Sequence, residues 1–251
     1  MNKVYSILFL LLTVPALCVA EDKPPQVISD AWTMIPKAGH EAKFEEALKA
    51  HLKFRHDNGD TRHWDTYRPV TGDSLNRYIV RSCCQPWAEQ DSYRKWSNET
   101  LGNHFNENVH PHVEKYMHNF GEVDMDNSNW GEGVEANYVG VTYWNIKPGK
   151  GGQASDAIKQ MSTLAKENDW PRSWSWSYPV GGDHRVMLAT PFKNFADMAP
   201  MEENFYQFAM SHMKEKKVKE MFKNFNGSFS GSSYGIYRHD KSLSMHHDEK
   251  E

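Results

Sequence analysis

The second half of this chain repeats the first, and that repeat limits what it can fold into. Trp64-Asp65-Thr66-Tyr67-Arg68-Pro69-Val70-Thr71-Gly72-Asp73 lines up with Trp174-Ser175-Trp176-Ser177-Tyr178-Pro179-Val180-Gly181-Gly182-Asp183. The Trp, Pro, Val, second Gly and Asp are identical between the two segments. Ala47-Leu48-Lys49 matches Ala157-Ile158-Lys159 at the same offset. Further on, Pro86-Trp87 matches Pro191-Phe192 and Asn119-Phe120 matches Asn224-Phe225 at an offset five residues shorter. A register that holds and then shifts once is the trace of a duplication followed by a loop deletion.

Each half reads in the same order. Ile28 to Ile35 is rich in β-formers, and Phe44, Ala47, Leu48, His51 and Leu52 then fall on one helical face. Strand-like runs at 62–70 and 76–84 flank Thr71-Gly72-Asp73-Ser74, a hairpin signal. After Pro86 a second helical region is expected to run on to Phe120, kinked or restarted at Pro111, with a last strand at 121–125. The second half gives a strand at 138–146, a helix carrying Ala154, Ala157, Ile158, Met161 and Ala165, strands at 173–180 and 185–190, a Met- and Phe-rich helical region over 195–225, and a strand at 229–238. The order is β-α-β-β-α-β twice, which is ferredoxin-like. One such unit has helices on one sheet face only and must bury the other. Trp174, Trp176 and Tyr178 alternate with serines, so that strand has one apolar face and one small polar face. The expected fold is α+β: two tandem ferredoxin-like repeats, 27–125 and 137–238, packed sheet to sheet as a fused dimeric α/β barrel. Residues 126–136 read as the linker, and 239–251 as a charged, disordered tail.

The first 20 residues read as a signal peptide. Lys3 precedes the apolar run Ile7–Leu12, and Cys18-Val19-Ala20 offers small residues for cleavage. That apolar stretch is shorter than the roughly 20 residues a spanning helix needs. A mature protein exported to the periplasm or secreted, with no membrane segment of its own, is the expectation. Removing the leader leaves Cys83 and Cys84, which on a regular strand point to opposite faces and read as two small, half-buried residues, the alternative being a strained, redox-labile vicinal disulfide. A formal net charge of −4 with interspersed signs excludes the basic stripe of a nucleic-acid binder.

The order of elements, the aromatic strand leading to a Gly turn (Trp64 to Gly72, Trp174 to Gly182) and the aromatic-led second helix ending at His110-Pro111-His112 give the chain its likeness. It resembles the dimeric α/β-barrel superfamily, in particular its antibiotic-biosynthesis-monooxygenase-like and NIPSNAP-like branches. The resemblance implies a cleft between each sheet and its helices that takes an apolar or aromatic small molecule. It also implies a monooxygenase-like oxidoreductase, if the chain is an enzyme, and haem as a cofactor candidate. The alternative on the same fold is a non-catalytic carrier or a structural module, and further association into an oligomer fits either.

The histidines favour the first half, where His104, His110, His112 and His118 occupy a region that is mostly Phe, Met and Lys in the second. His112 or His110 is the candidate general base or haem ligand, since imidazole titrates near neutrality and can ligate iron. Tyr67 is the further candidate for proton transfer. Arg68 and Arg81 are candidates to hold a carboxylate, and Tyr78 and Trp64 to line the same ligand site. No metal site is expected: no H-E-x-x-H pattern occurs, and Met245-His246-His247 reads as a polar end with weak Cu or Ni affinity.

Overall fold

A computed structural model describes residues 26–247 apart from Ser74, Glu132 and Asp183. The leader expected at 1–20 and the last four residues lie outside the described residues. The elements are β1 (Val27–Pro36), α1 (Glu41–Asp57), β2 (Asp65–Pro69), β3 (Tyr78–Pro86), α2 (Gln90–Leu101), α3 (His104–Asn108) and β4 (Val113–Asn129) in the first half. The second half contains β5 (Tyr138–Ile146), α4 (Gly151–Glu167), β6 (Trp174–Val180), β7 (Arg185–Phe192), α5 (Phe205–His212), α6 (Glu215–Gly227) and β8 (Phe229–His239).

The strands close into one antiparallel barrel in the order β1-β3-β2-β8-β5-β7-β6-β4. Each half contributes a four-stranded sheet, β4-β1-β3-β2 and β8-β5-β7-β6. Two seams join them. At one, β2 pairs with β8 from Tyr67↔His239 to Pro69↔Tyr237. At the other, β4 pairs with β6 from Phe120↔Val180 to Asp124↔Trp176, with Asn129↔Trp174 beyond a break in register. Closure removes the free edges that an open sheet would expose.

Helices cover the outside of each sheet, and each half has its own apolar cluster. In the first, Phe44, Leu48 and Leu52 of α1 meet Met34, Tyr78, Val80 and Trp64 of the sheet. In the second, Ala154, Ala157, Ile158 and Met161 of α4 meet Trp174, Trp176 and Val186, with Met221 and Phe225 of α6. The α1 stripe therefore forms from the predicted spacing, and each fully buried Leu or Phe contributes about 1.5–3 kcal/mol. Gly72 and Gly182 both sit at positive φ (86° and 72°), where a Cβ would be strained. The same backbone requirement accounts for a glycine at this point in both hairpins.

Four expectations are corrected. The helix expected to run through Pro111 to Phe120 ends at Asn108; a short 3-10 turn over His110–His112 follows, and β4 starts at Val113. Proline ends that helix because its ring blocks the preceding backbone from continuing. The helical region expected over 195–225 is two helices, α5 and α6, separated at Met213-Lys214. Cys83 and Cys84 are disulfide-bonded to each other. The ladder explains this: Ile28 pairs with Gln85 and Asp30 with Ser82, so Cys83 and Cys84 together oppose Ser29 in a bulge. Alternation fails at such a bulge, and adjacent side chains no longer need to diverge. Lastly, the tail is ordered as far as His247: after β8 a 3-10 turn over Lys241–Leu243 brings Met245 back against Trp64. Leu243 and Met245 are buried in the first half's apolar cluster, and their burial offsets the ordering entropy. No helix among the described residues is long and apolar enough to cross a membrane.

Candidate functional site

The first-half cleft begins where α1 stops. Asn58-Gly59 turns the chain, and Asp60 follows at 1 % exposure. A buried carboxylate needs partners, and Asp60 has four. Arg55 Nε donates to it at 2.6 Å, the Tyr93 hydroxyl at 2.9 Å, Trp64 Nε1 at 3.2 Å and the Arg62 backbone N–H at 3.0 Å. This network ties the end of α1 and the start of β2 to α2. Burial pushes the Tyr93 hydroxyl above the ordinary tyrosine range, so it stays a donor at neutral pH.

Arg62 is thereby held beneath Tyr93, with its guanidinium carbon 3.4 Å from the ring centroid. It is only 4 % exposed. Its NH1 lies 3.6 Å from Asp30 Oδ2, an electrostatic contact too long for a hydrogen bond. Neither NH1 nor NH2 has a hydrogen-bond partner among the described residues. Burial draws the guanidinium pKa down from its usual value, but arginine stays charged at any working pH.

Arg62 lines a cavity of about 450 Å3 that also takes in Gln85, Glu89, Tyr93 and Trp96. That volume falls within the roughly 300–1,000 Å3 of small-molecule pockets. Gln85 Oε1 is buried and unpartnered as well, its amide nitrogen being taken up by Ser82 at 3.2 Å. Arg62 and Gln85 thus stand in the wall of the cavity beside Tyr93 and Trp96, with the guanidinium NH1 and NH2 and Gln85 Oε1 themselves shielded from solvent. On the other side of Asp30, His118 Nε2 lies 2.9 Å from Asp30 Oδ1, with the Trp32 ring stacked on the imidazole at 4.2 Å. A carboxylate-oriented imidazole is the arrangement a general base needs.

The residues singled out from sequence divide among several places. Trp64 and Tyr78 are core residues; the Tyr78 hydroxyl donates to Glu45 Oε1 at 2.5 Å. Arg68 is paired with the same Glu45 oxygen at 2.8 Å and lies over the Tyr78 ring. Arg81 pairs in register with Asp65 across β2–β3, and Tyr67 follows two residues after Asp65 on the face of β2 opposite Trp64. Burial, with the Asp65 charge added, pushes Tyr67 up to about 12. His112 faces His40, their Nδ1 atoms 3.1 Å apart, and so joins the 3-10 turn to the start of α1. His110 is exposed, with its Nδ1 2.9 Å from the Tyr116 hydroxyl. Tyr67 and Arg81 are brought together, as are Arg68 and Tyr78, but the two pairs lie on opposite faces of one sheet. His112, Arg68, Arg81, Tyr78 and Trp64 are therefore not gathered on one face of the sheet around a single ligand.

Arg62, Tyr93, Gln85 and the His118–Asp30 pair were not anticipated from sequence. The available signal was Asp60, an acid set between a helix-ending Asn58-Gly59 and Trp64, where a charged residue has to find buried partners.

No family model matches the chain, and no curated protein does either. Solved structures do. A protein from Lactobacillus acidophilus NCFM provisionally named a monooxygenase superposes with a TM-score of 0.57 at 8 % identity, over 88 % of this chain and 96 % of that one. One from Fusobacterium nucleatum with the same provisional name gives 0.56 at 10 % identity, over 86 % and 93 %. An anthrone oxidase-like protein gives 0.52 at 10 % identity, over 87 % and 92 %. At such identities the likeness is one of architecture: this chain has the α+β barrel fold of the dimeric α/β-barrel proteins.

Proposed function

We propose that this is an exported small-molecule-binding protein, built by duplication of a ferredoxin-like unit, whose first-half cleft takes an aromatic molecule bearing an anionic group. One observation carries the reading: the Arg62 guanidinium is buried, charged and without a hydrogen-bond partner at the cavity wall. Leaving such a group unsatisfied is expensive, so proteins rarely retain one without a use for it. A carboxylate would accept from NH1 and NH2 together, the strongest geometry open to arginine. Tyr93 and Trp96 would cover the ring system, and Gln85 Oε1 would accept from a neighbouring hydroxyl or amine of the ligand. Export rests on the leader-like residues 1–20, and duplication on the repeated sequence and on the matching strand orders of the two halves. The finer likeness to the antibiotic-biosynthesis-monooxygenase-like and NIPSNAP-like branches belongs to this reading too.

A second reading is monooxygenase-like turnover in the same cleft. It is favoured by the His118–Asp30 pair, because Asp30 also stands 3.6 Å from Arg62 and so links a bound anion to a candidate base. The fold neighbours provisionally named monooxygenases lend it support.

The test compares 2-naphthoate with uncharged 2-naphthalenemethanol by isothermal titration calorimetry. Saturable binding of the acid alone, lost in Arg62→Met, is the expected result. Equal affinity for both, or for neither, would reject an anion-reading cleft. Oxygen uptake with hydroxylated naphthoates, abolished by His118→Gln with binding retained, separates turnover from carriage.

A further inference from the structure

The geometry points to a second site on the opposite face of the first-half sheet: a divalent transition-metal site formed by Asp65, His239 and His246. Its three ligands come from separate segments, and the backbone places each of them. Asp65 opens β2. His239 ends β8 and pairs with Tyr67 across the seam. His246 arrives on the tail, which turns at Lys241–Leu243 and then runs antiparallel to β2. There Trp64 N–H donates to the Met245 carbonyl at 2.9 Å, and Met245 N–H to the Trp64 carbonyl at 2.8 Å. Trp64 and Met245 both point into the apolar cluster, 6 % and 4 % exposed. In extended chain the next residue of each points the other way, so Asp65 and His246 emerge together on the far face.

The donor atoms converge. The Nε2 atoms of His239 and His246 lie 3.0 and 3.1 Å from the same oxygen, Asp65 Oδ1. One ligand atom from each of the three residues lies within 4.8 Å of the other two. With metal–nitrogen and metal–oxygen bonds of about 2.0–2.2 Å, neighbouring ligands of one ion sit about 3.0–3.4 Å apart. The two aspartate–histidine edges already have that spacing, and only the His239–His246 edge has to adjust. Two imidazoles and one carboxylate, with no thiolate, suit Zn(II), Fe(II), Ni(II) or Cu(II) rather than a soft ion, and lie outside the all-oxygen preference of Ca(II) and Mg(II).

Three protein ligands leave coordination positions open, the condition that separates catalytic from structural metal sites. Two of the ligands, Asp65 and His239, line a cavity of about 400 Å3 together with Tyr67, Trp130, Glu135 and Lys241. An exogenous anion or water could therefore complete the shell. The contending explanation is a purely structural cluster, in which the imidazoles and Asp65 form ion pairs and the Nε2 of His239 also lies 3.1 Å from Ser244 Oγ. The two explanations part on whether metal affinity depends on all three residues.

The test is titration of the full chain with Zn(II) by calorimetry, and with Co(II) followed by its visible d–d absorption. One ion per chain is expected. Affinity should fall at least about tenfold in His246→Ala and in Asp65→Asn, since even residues that merely orient ligands are worth 10–100-fold. His246 has a half-exposed side chain, so its replacement should leave the fold intact by circular dichroism. His212→Ala, on α5, serves as the surface-histidine control and should leave affinity unchanged. A bound ion should also slow tryptic cleavage after Lys241 in the parent but not in His246→Ala. No bound ion, or one whose affinity is indifferent to both ligand variants, would overturn the site.

Discussion

Arg62→Met separates a ligand-reading arginine from a structural one. In the first case the substitution does not destabilise the fold. The variant loses a desolvated stacking contact with Tyr93, worth about 2 kcal/mol, and a long electrostatic contact with Asp30. Against this, it removes two buried nitrogen atoms without acceptors, each carrying a desolvation penalty of about 1–3 kcal/mol. Methionine keeps much of the side-chain volume and packs against aromatic rings. Asp30 is not stranded, because His118 remains 2.9 Å from it. The terms leave the variant about 0–4 kcal/mol more stable than the parent, each 1 kcal/mol being equivalent to about 2–4 °C for a chain of this size. Ligand affinity behaves differently. Two charge-assisted bonds, at about 1.5–3 kcal/mol each, put the loss at about a hundredfold or more. Thermal unfolding and naphthoate calorimetry on the same preparation read both quantities. If Arg62→Met instead loses 3–5 kcal/mol, as when a buried ion pair is broken, while naphthoate still binds, the reasoning from the unpartnered guanidinium is refuted.

Burial, with the neighbouring Arg55 charge second, lowers the His51 pKa to about 3, and its Nδ1 lies 3.0 Å from that of His104. The unfolded chain then binds the extra proton between pH 6.5 and 3, so stability should be full above pH 6.5 and fall by about 1.4 kcal/mol per unit below it; a urea-denaturation series over pH should show that slope flattened in His51→Gln. A Cβ on Gly140 would strike the Tyr234 hydroxyl and come within 2.9 Å of Phe192 Cε2. Gly140→Ala should destabilise by about 1–3 kcal/mol, with most of the loss recovered when Tyr234→Ala is added, as chemical denaturation of the double variant would show. Leu243→Ala should lower stability by about 2–5 kcal/mol, because Leu243 is a core residue despite its place near the end of the chain; an unchanged melting temperature would contradict that placement.

What could be read from sequence was whatever obeys local periodicity. The α1 stripe of Phe44, Leu48 and Leu52 is buried as its spacing requires, and the alternation of Trp174 and Trp176 with serines gives a strand with one buried face. β4 was misread because Val113, Tyr116, Met117 and Phe120 satisfy helical spacing while Tyr116, His118 and Phe120 satisfy strand alternation. Only pairing with β1 on one side and β6 on the other decides between them. The cysteine pair was misread because the alternation rule presumes an unbroken ladder. Tyr67 and Arg81 lie on the face of the sheet opposite the Arg62 cleft, beside Asp65. Their neighbours Asp65, His239 and His246 are joined by contacts more than 170 residues apart, which no window of sequence can reveal. Arg62 has the composition of a surface residue, and only the partners of Asp60 bury it.

The docking of Leu243 and Met245 into the first half's core has a consequence for how the protein is made. Trp64, Phe44 and Leu48 are synthesised long before Leu243 and Met245, the residues that complete their packing. The β2–β8 seam imposes the same order, since β2 waits on a strand that ends at His239. The first half therefore cannot reach its native packing before the segment through Met245 has emerged, and a nascent chain arrested short of it should stay open to proteases.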